Sequence, residues 1–322
     1  MKRAGLGLLL CTLIAAPAAL AQPAKYPERA IRLISPFPPG GSVDVTARLL
    51  APAVSKSLGQ QVVVDNRAGA SGIIGTEAAA RAAPDGYTLL INTTPMVTNT
   101  LMYSKVPYNV LADFVPITLL ATTPSFIGVH PSVPARSVRE LLQLAKSRPG
   151  ALNYASAGVG TNPHISGELF NYLGKVNIVA VQFKGGGPAL IATLSGEVGV
   201  AFSAVAGAVN YVKSGRLRAL GVTSTKPVVA LPGVPTVAES GLPGYEFVAW
   251  FALVAPKGTS REIVATLNDH FLKAMASPDT IKRFESDGLD VVGSTPEQLA
   301  ATLESELKKW ATVIRERGMR AE

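Results

Sequence analysis

Two glycine-rich turns carry the residues of this chain that are best placed to do chemistry. The first reads Pro-Phe-Pro-Pro-Gly-Gly-Ser-Val-Asp over residues 36–44, and the second reads Ser-Ala-Gly-Val-Gly-Thr-Asn-Pro-His over residues 156–164. Each follows an apolar run and precedes helical spacing, so each is predicted to be a strand end, a turn and a helix start. Glycine lets backbone approach a ligand, and the first N–H groups of a helix lack internal partners. The turns therefore predict sites for a carboxylate or phosphate.

The hydroxyl groups of both turns are predicted to cap the helices that follow, with Ser42 as the cap of the first helix. The alternative is an ordinary strand-to-helix turn that binds nothing. A nucleotide site is not predicted, because residues 158–163 lack the third glycine of the dinucleotide fingerprint. In addition, no lysine followed by serine or threonine comes after any glycine run.

Three ionisable side chains lie in or near these turns. His164 lies in the first turn of its helix, where the dipole disfavours positive charge, so a neutral ring is expected, either at the site or as a structural cap. Lys184 either completes a carboxylate site as a point charge or is a solvated loop residue. Asp44 is interpreted as a surface acid that stabilises the helix dipole, or as a ligand contact. With three histidines and one cysteine in the chain, no metal and no cofactor are expected.

The elements that position the turns alternate between strand and helix, which indicates parallel sheets flanked by helices. In such sheets, ligands bind beyond the carboxyl ends of the strands, where Thr93 and Thr94 also lie. A change in composition after residue 107 and a repeat of the strand, turn and helix design predict two lobes joined near Pro124. We expect residues 22–123 and 247–322 to form one lobe and residues 124–246 the other.

The N-terminal 21 residues are typical of a secretory signal: Lys-Arg, an apolar run, then Ala19-Leu20-Ala21. Cleavage is expected after Ala21, giving a periplasmic protein; an uncleaved anchor is disfavoured because Pro17 breaks the helix. Cleavage lowers the net charge from +8 to about +6. The remaining excess is scattered, so nucleic acid is not an expected partner.

Several motifs in fixed order give the mature chain a family resemblance. They are Tyr26-Pro27, the turn at 36–42, Asn66-Arg67 with Gly69 and Gly72, the run 84–89, Asp113-Phe114, the turn at 156–164, and Pro235-Thr236 with 239–241. In these motifs the chain resembles the substrate-binding proteins of tripartite tricarboxylate transporters, the Bug or TctC-like family. The resemblance implies an α/β, two-lobed periplasmic-binding-protein type 2 fold. Such a fold closes on a small carboxylate held by backbone N–H groups and ordered water.

The same resemblance implies a set of ligand-binding residues by position. The first lobe offers Phe37, Pro38, Gly40, Gly41, Ser42, Asp44, Thr93 and Thr94. The second lobe offers Ser156, Ala157, Gly158, Gly160, Thr161, His164, Lys184, Gly185 and Ser203. The chain departs from the family pattern where members carry acids, at Gly199 and Ser203, and where proline is usual, at Ala68.

The function predicted from these observations is that of an exported receptor. It captures a small organic acid between two lobes and delivers it, as a monomer, to the permease subunits of a tripartite tricarboxylate-type transporter. One alternative is a sensor that docks on a signalling partner. Another is a secreted serine hydrolase that uses Ser42 or Ser156 with His164, although no Gly-x-Ser-x-Gly elbow occurs.

Overall fold

The computed structural model describes residues 26–205 and 207–321, except for the side chain of Arg317. The predicted signal segment lies outside the described residues. Within the described part, no helix combines the length and the apolar composition that a bilayer crossing requires.

The first sheet begins with three short parallel strands. β1 (Ile31–Ser35) pairs with both β2 (Val62–Asn66) and β3 (Thr88–Asn92), in the order β2-β1-β3. Four of the five β1 side chains are buried, as expected for a strand covered by helices on both faces. The carboxyl ends of β1 and β3 therefore lie at one edge of the sheet, where the first glycine-rich turn starts.

Two long strands, β4 (Phe114–Val129) and β9 (Val248–Pro256), connect the halves of the molecule. β9 pairs antiparallel with β3 and with residues 114–124 of β4, and the short β10 (Asp290–Val291) also pairs with β4. Pro116 and Pro124 argue locally against a strand before Phe126, because proline lacks the N–H that a ladder needs. The structure accommodates Pro116 beside a register shift, so the strand continues for 16 residues.

The second sheet is built on the other end of β4. Residues 125–129 of β4 pair antiparallel with β7 (Val200–Ala204) and β8 (Arg218–Val222). β5 (Asn153–Ser156) lies parallel to both β7 and β6 (Val179–Gln182). The α/β fold class is confirmed, with the parallel pairs confined to β2-β1-β3 and β6-β5-β7 and the connecting strands antiparallel.

Ten helices flank these sheets in the described residues. They are α1 (Ser42–Leu58), α2 (Ile73–Ala80), α3 (Pro95–Met102), α4 (Val138–Ser147), α5 (Asn162–Gly174), α6 (Gly186–Leu194), α7 (Val209–Lys213), α8 (Arg261–Met275), α9 (Pro278–Ser286) and α10 (Pro296–Arg317). The sequence interpretation left out α3 and α9, both of which begin with proline at the first helical position.

The C-terminal helices pack on the first sheet and on its helices. α8 contacts α1 and β4, and α10 contacts α3 and β4. Glu306 on α10 accepts hydrogen bonds from the indole N–H groups of Trp250 (2.8 Å) and Trp310 (2.9 Å). One carboxylate therefore links α10 to β9, which is the strand that returns the chain from the second sheet.

Candidate functional site

A cavity lies where the two glycine-rich turns face each other. It has a volume of about 850 Å³ including its open mouth. Its walls come from the β1–α1 and β5–α5 turns, the start of α6 and the end of β7. The residues that line it are Phe37, Gly40, Gly41, Ser42, Val43, Thr93, Pro95, Ala155, Ala157, Thr161, Asn162, Pro163, Gly186, Gly187, Ala189, Leu190, Ala201, Phe202, Ser203, Ala204 and Gly207.

Asp44 fixes the backbone of the first turn through hydrogen bonds. Gly40 has a left-handed backbone (φ 82°), and its N–H donates to Asp44 Oδ2 at 2.9 Å. Asp44 Oδ1 accepts from Arg48 Nε and Asn66 Nδ2, both at 2.9 Å. Burial acts to raise the pKa of Asp44, but these hydrogen bonds outweigh it and hold the pKa below its usual range. Asp44 is therefore a buried support of the turn, which corrects its interpretation as a surface acid.

The expected cap at Ser42 is not formed. Gly41 occupies the N-cap position of α1, no side chain caps the helix, and the first helical hydrogen bond runs from Val45 N–H to Gly41 O. Ser42 is instead the first helical residue and lines the cavity. The N–H groups of Ser42 and Val43 thus have no partner within the helix and lie at the cavity wall.

The second turn repeats this construction with a histidine. Gly160 is left-handed (φ 78°), and its N–H donates to His164 Nδ1 at 3.3 Å, four residues on, as in the first turn. Because Nδ1 accepts, the ring is neutral; burial lowers the pKa of His164, although Glu168 acts to raise it. Thr161 stands at the N-cap of α5, yet its hydroxyl donates backwards to Gly158 O at 2.6 Å and does not cap the helix.

The start of α6 completes the polar part of the wall. Gly186 and Gly187 are its first two residues and line the cavity, and no side chain caps this helix either. A Cβ at Gly187 would meet no atom within 4 Å, so this position opens onto free space. Gly185 (φ 111°) instead packs against Pro38, because a Cβ there would come within 2.9 Å of Pro38 Cγ.

Four helix starts away from the cavity, those of α4, α8, α9 and α10, are capped by side chains. The N-cap hydroxyl of each accepts from the backbone N–H three residues on, and α10 has a complete capping box. These caps are Ser137 for α4, Ser260 for α8, Ser277 for α9 and Thr295 for α10. Four helices, α1, α3, α5 and α6, begin with a residue that lines the cavity, and none of them has a side-chain cap. The starts of α2 and α7, outside the lining, also lack side-chain caps. At the cavity, a ligand anion can take the place of the cap.

Direct hydrogen bonds join the two sides of the cavity. Thr98 Oγ1 on α3 donates to Gly160 O at 2.8 Å, and Asn162 Nδ2 on α5 donates to Thr93 Oγ1 at 3.2 Å. The side-chain oxygen of Asn162, in contrast, has no hydrogen-bond partner although the residue is only 8% exposed. A buried acceptor without a donor costs free energy, which makes this atom a candidate ligand contact.

Eight of the predicted site residues line the cavity, and nine do not. Those that line it are Phe37, Gly40, Gly41, Ser42, Thr93, Ala157, Thr161 and Ser203. Those outside the lining are Pro38, Asp44, Thr94, Ser156, Gly158, Gly160, His164, Lys184 and Gly185. Asp44 and His164 support the turns, and Pro38 meets Gly185 across the cleft. Lys184 is exposed.

Sequence reasoning missed the apolar part of the wall and Asn162. Ala201, Phe202 and Ala204 come from β7, and Ala189 and Leu190 from α6. In sequence these residues are indistinguishable from ordinary core. Asn162 carried a usable signal, because it directly follows the predicted N-cap and is polar where the helix start must face the cavity. The described residues contain no group of three or more His, Cys, Asp or Glu arranged to hold a metal ion.

The chain is similar in sequence to known receptors over almost its whole length. Residues 46–319 match the family described as "Tripartite tricarboxylate transporter family receptor". The chain is 39% identical over 295 residues to Protein BugT of Bordetella pertussis, which is 91% of this chain and 90% of BugT.

Two solved structures share the fold and contain a bound acid. R. palustris Rpa4515 with adipate superposes with a TM-score of 0.89 at 35% identity, covering 92% of this chain and 99% of that one. MatC (Rpa3494) from Rhodopseudomonas palustris with bound malate gives a TM-score of 0.86 at 32% identity, covering 90% and 100%.

Proposed function

Because this chain belongs to the tripartite tricarboxylate transporter receptor family, we propose that it binds a small organic carboxylate in the cavity and delivers it to a membrane transporter. The family match covers most of the chain, and two structural neighbours hold adipate and malate. The observation that carries the proposal is the convergence of four helix starts without side-chain caps, those of α1, α3, α5 and α6, on one cavity.

Elementary energetics support a carboxylate at this position. Each helix terminus contributes about 0.3–1 kcal/mol to a nearby anion. A backbone N–H donated to a charged oxygen contributes about 1.5–3 kcal/mol. Two or three such bonds, less the entropic cost of association, give roughly micromolar affinity, or about −8 kcal/mol.

The ligand-contacting set that we propose joins the predicted cavity residues to those found in the structure. It comprises Phe37, Gly40, Gly41, Ser42, Val43, Thr93, Ala157, Thr161, Asn162, Gly186, Gly187 and Ser203. In this arrangement, Asp44 and His164 act indirectly, by fixing the N–H groups of Gly40 and Gly160. The N–H groups of Ser42 and Val43 in the first turn and of Asn162 in the second then remain for the ligand.

The proposal extends to the division into lobes, to export and to the oligomeric state. Residues 22–123 and 247–322 form the first lobe and residues 124–246 the second; β4 changes partners from β9 to β7 between Pro124 and Ser125, which supports this division. The protein is exported after cleavage at Ala21 and works as a monomer with permease subunits of its transporter.

We propose binding without turnover. The hydrolase alternative uses Ser42 or Ser156 with His164. Of these two serines, Ser156 Oγ donates to Gly158 O at 3.1 Å. His164 Nδ1 accepts from Gly160 N–H. Both groups therefore serve the backbone of the turn.

Calorimetry and thermal unfolding test the carboxylate proposal directly. Mono- and dicarboxylates, including adipate and malate, are compared with their neutral amides. An acid present at 100 times its Kd stabilises the folded state by about 2.7 kcal/mol, which corresponds to a rise in Tm of roughly 4 °C for a chain of this size. The amide should give no comparable rise. Absence of stabilisation by any acid, or equal stabilisation by the amides, would contradict the proposal.

A further inference from the structure

We infer that Asn162 recognises a hydroxyl group on the ligand, so that the receptor prefers hydroxy acids to the corresponding deoxy acids. This inference rests on the carboxylate-binding function proposed above and specifies its substrate class. It also gives Asn162 a second task, because the same side chain joins the two sides of the cavity.

The side chain of Asn162 is fixed at one end and unpaired at the other. It is the first residue of α5, lines the cavity and is only 8% exposed. Its Nδ2 donates to Thr93 Oγ1 at 3.2 Å, whereas its Oδ1 has no partner. The two ends of the amide therefore differ: Nδ2 spans the cleft, whereas Oδ1 is a buried acceptor without a donor.

A carboxylate cannot satisfy this acceptor, because an ionised carboxyl group only accepts hydrogen bonds. The N–H groups at the helix starts, and the hydroxyl hydrogen that Thr93 retains when it accepts from Asn162, suit the carboxylate. The unpaired Oδ1 requires a donor elsewhere on the ligand. A hydroxyl group supplies that donor and has a lone pair left for a second contact.

An ammonium group would also donate, but the lining does not favour it. The described residues that line the cavity are glycine, alanine, proline, serine, threonine, asparagine, valine, leucine and phenylalanine. A buried ammonium would then lack a countercharge, at a cost far above that of a neutral hydroxyl. The uncharged lining of the cavity thus favours a hydroxyl group over an ammonium group as the donor to Asn162 Oδ1.

Calorimetry with matched pairs of acids tests this inference on the mature chain. The pairs are succinate and malate, glutarate and 2-hydroxyglutarate, butyrate and 3-hydroxybutyrate, and adipate and 3-hydroxyadipate. For the pair that binds best, the hydroxy acid should bind roughly tenfold more tightly to the wild type, the usual effect of one buried hydrogen bond. In Asn162→Ala this ratio should fall to about one.

Thr93→Val is the matched control. It removes the same bond across the cleft but leaves Oδ1 of Asn162 in place. The affinity for both acids should therefore fall, while the ratio of the two affinities stays within about twofold of the wild-type ratio. Asn162→Leu, which keeps the size of the side chain without the acceptor, replaces Asn162→Ala if the smaller variant is unstable.

The outcomes separate this inference from the function on which it rests. Equal affinity for both members of every pair overturns the inference and leaves the carboxylate function intact; the amide would then present its NH₂ group to the carboxylate. A ratio that persists without Asn162 also overturns it. If no acid of either kind binds, the carboxylate function fails and the inference fails with it.

Discussion

The helix starts of α10 and α1 treat their first N–H groups in opposite ways. At α10, Thr295 and Gln298 cap each other's backbone reciprocally, so two of these N–H groups are paired within the protein. At α1, the N-cap is Gly41 and no side chain caps the helix. The comparison teaches that a helix start without a side-chain cap can form a binding site of this kind. Its N–H groups are available to a ligand because the protein itself does not use them.

Hydrogen bonds within the two turns stabilise the helix starts that lack side-chain caps. In each lobe a left-handed glycine donates its N–H to a side chain four residues on, Asp44 in one and His164 in the other. These bonds fix the turn without covering the N–H groups that follow. The two supports differ in charge, so the turns should respond differently to pH.

The largest expected effect comes from placing a carboxylate at an uncapped helix start. Gly187→Asp puts a negative side chain into the open space at the start of α6, and Gly187→Asn is its neutral control. Repulsion between like charges costs several kcal/mol, so affinity for every acid should be about 100-fold lower in the Asp variant than in the Asn variant. An acid in the first turn favours the helix, so thermal stability should not fall. Equal affinities of the two variants, measured by calorimetry, would contradict the proposal that the start of α6 binds the carboxylate.

Removing the charge from the first support is the next largest change. Asp44→Asn should lower the free energy of unfolding by about 1–3 kcal/mol, because a buried carboxylate bonded to Gly40, Arg48 and Asn66 loses its charge-assisted bonds. The pKa of Asp44 is lowered in the folded state, so its contribution is fully present above the unfolded value of about 3.9 and is lost as pH falls through the folded pKa.

Urea unfolding at pH 7, 5 and 3 measures this contribution. Asp269→Asn is the control, because Asp269 forms an exposed pair with Lys273 at 2.6 Å and should change stability by less than about 0.5 kcal/mol. If both variants lose the same small amount at pH 7, Asp44 does not support the turn.

A pair of hydroxyl deletions separates the two kinds of helix start. Thr295→Ala removes a cap and should cost about 1 kcal/mol of stability while ligand affinity stays within twofold. Ser42→Ala removes a hydroxyl at the cavity wall and should weaken ligand binding about fivefold while stability changes by less than about 0.5 kcal/mol. Thermal unfolding and calorimetry on both variants measure both quantities. A stability loss at Ser42 as large as that at Thr295 would show that Ser42 is a cap after all.

The sequence was sufficient to indicate side-chain caps away from the cavity, but not to identify the N-cap of α1. Ser137 and Thr295 precede Glu140 and Gln298 by three residues, which is the spacing of a capping box, and the structure has a side-chain cap at both. Ser42 has Val45 three residues on and was predicted as a cap only from its hydroxyl group and its place at the start of the helical spacing. That prediction was wrong, because Gly41 is the N-cap and the left-handed Gly40 is bonded to the carboxylate of Asp44. Local patterns do not record which of two adjacent residues is the N-cap.

The rest of the site depends on tertiary packing. The strand end at 201–204 and the start of α6 reach the cavity only because β7 lies beside β5 and α6 packs on both strands. Small apolar residues in such segments have the same sequence signature whether they face a core or a cavity. The long β4 was missed for a related reason: its prolines disfavour a strand locally, and only pairing with β9 sustains it.

The smallest expected effect distinguishes the two supports by pH. Burial lowers the pKa of His164, so its neutral ring contributes stability above the unfolded value of about 6.5, and that contribution is lost as pH falls through the folded pKa. A protonated Nδ1 donates and no longer accepts from Gly160 N–H, so the turn loses one hydrogen bond, worth about 1 kcal/mol. Affinity for a monocarboxylate such as butyrate should therefore fall severalfold as pH drops from 8 through the folded pKa of His164.

His164→Asn keeps an acceptor near the position of Nδ1 but does not titrate, so its affinity should vary little over the same range. His130→Asn is the control: His130 bonds Ser132 outside the cavity, and its loss should leave the wild-type pH profile unchanged. An equal decline with falling pH in the wild type and in His164→Asn would assign the pH dependence to another group. The pH profile therefore shows whether the second lobe holds its N–H groups in place by a titratable bond, while the first holds its own by a charge that persists to acid pH.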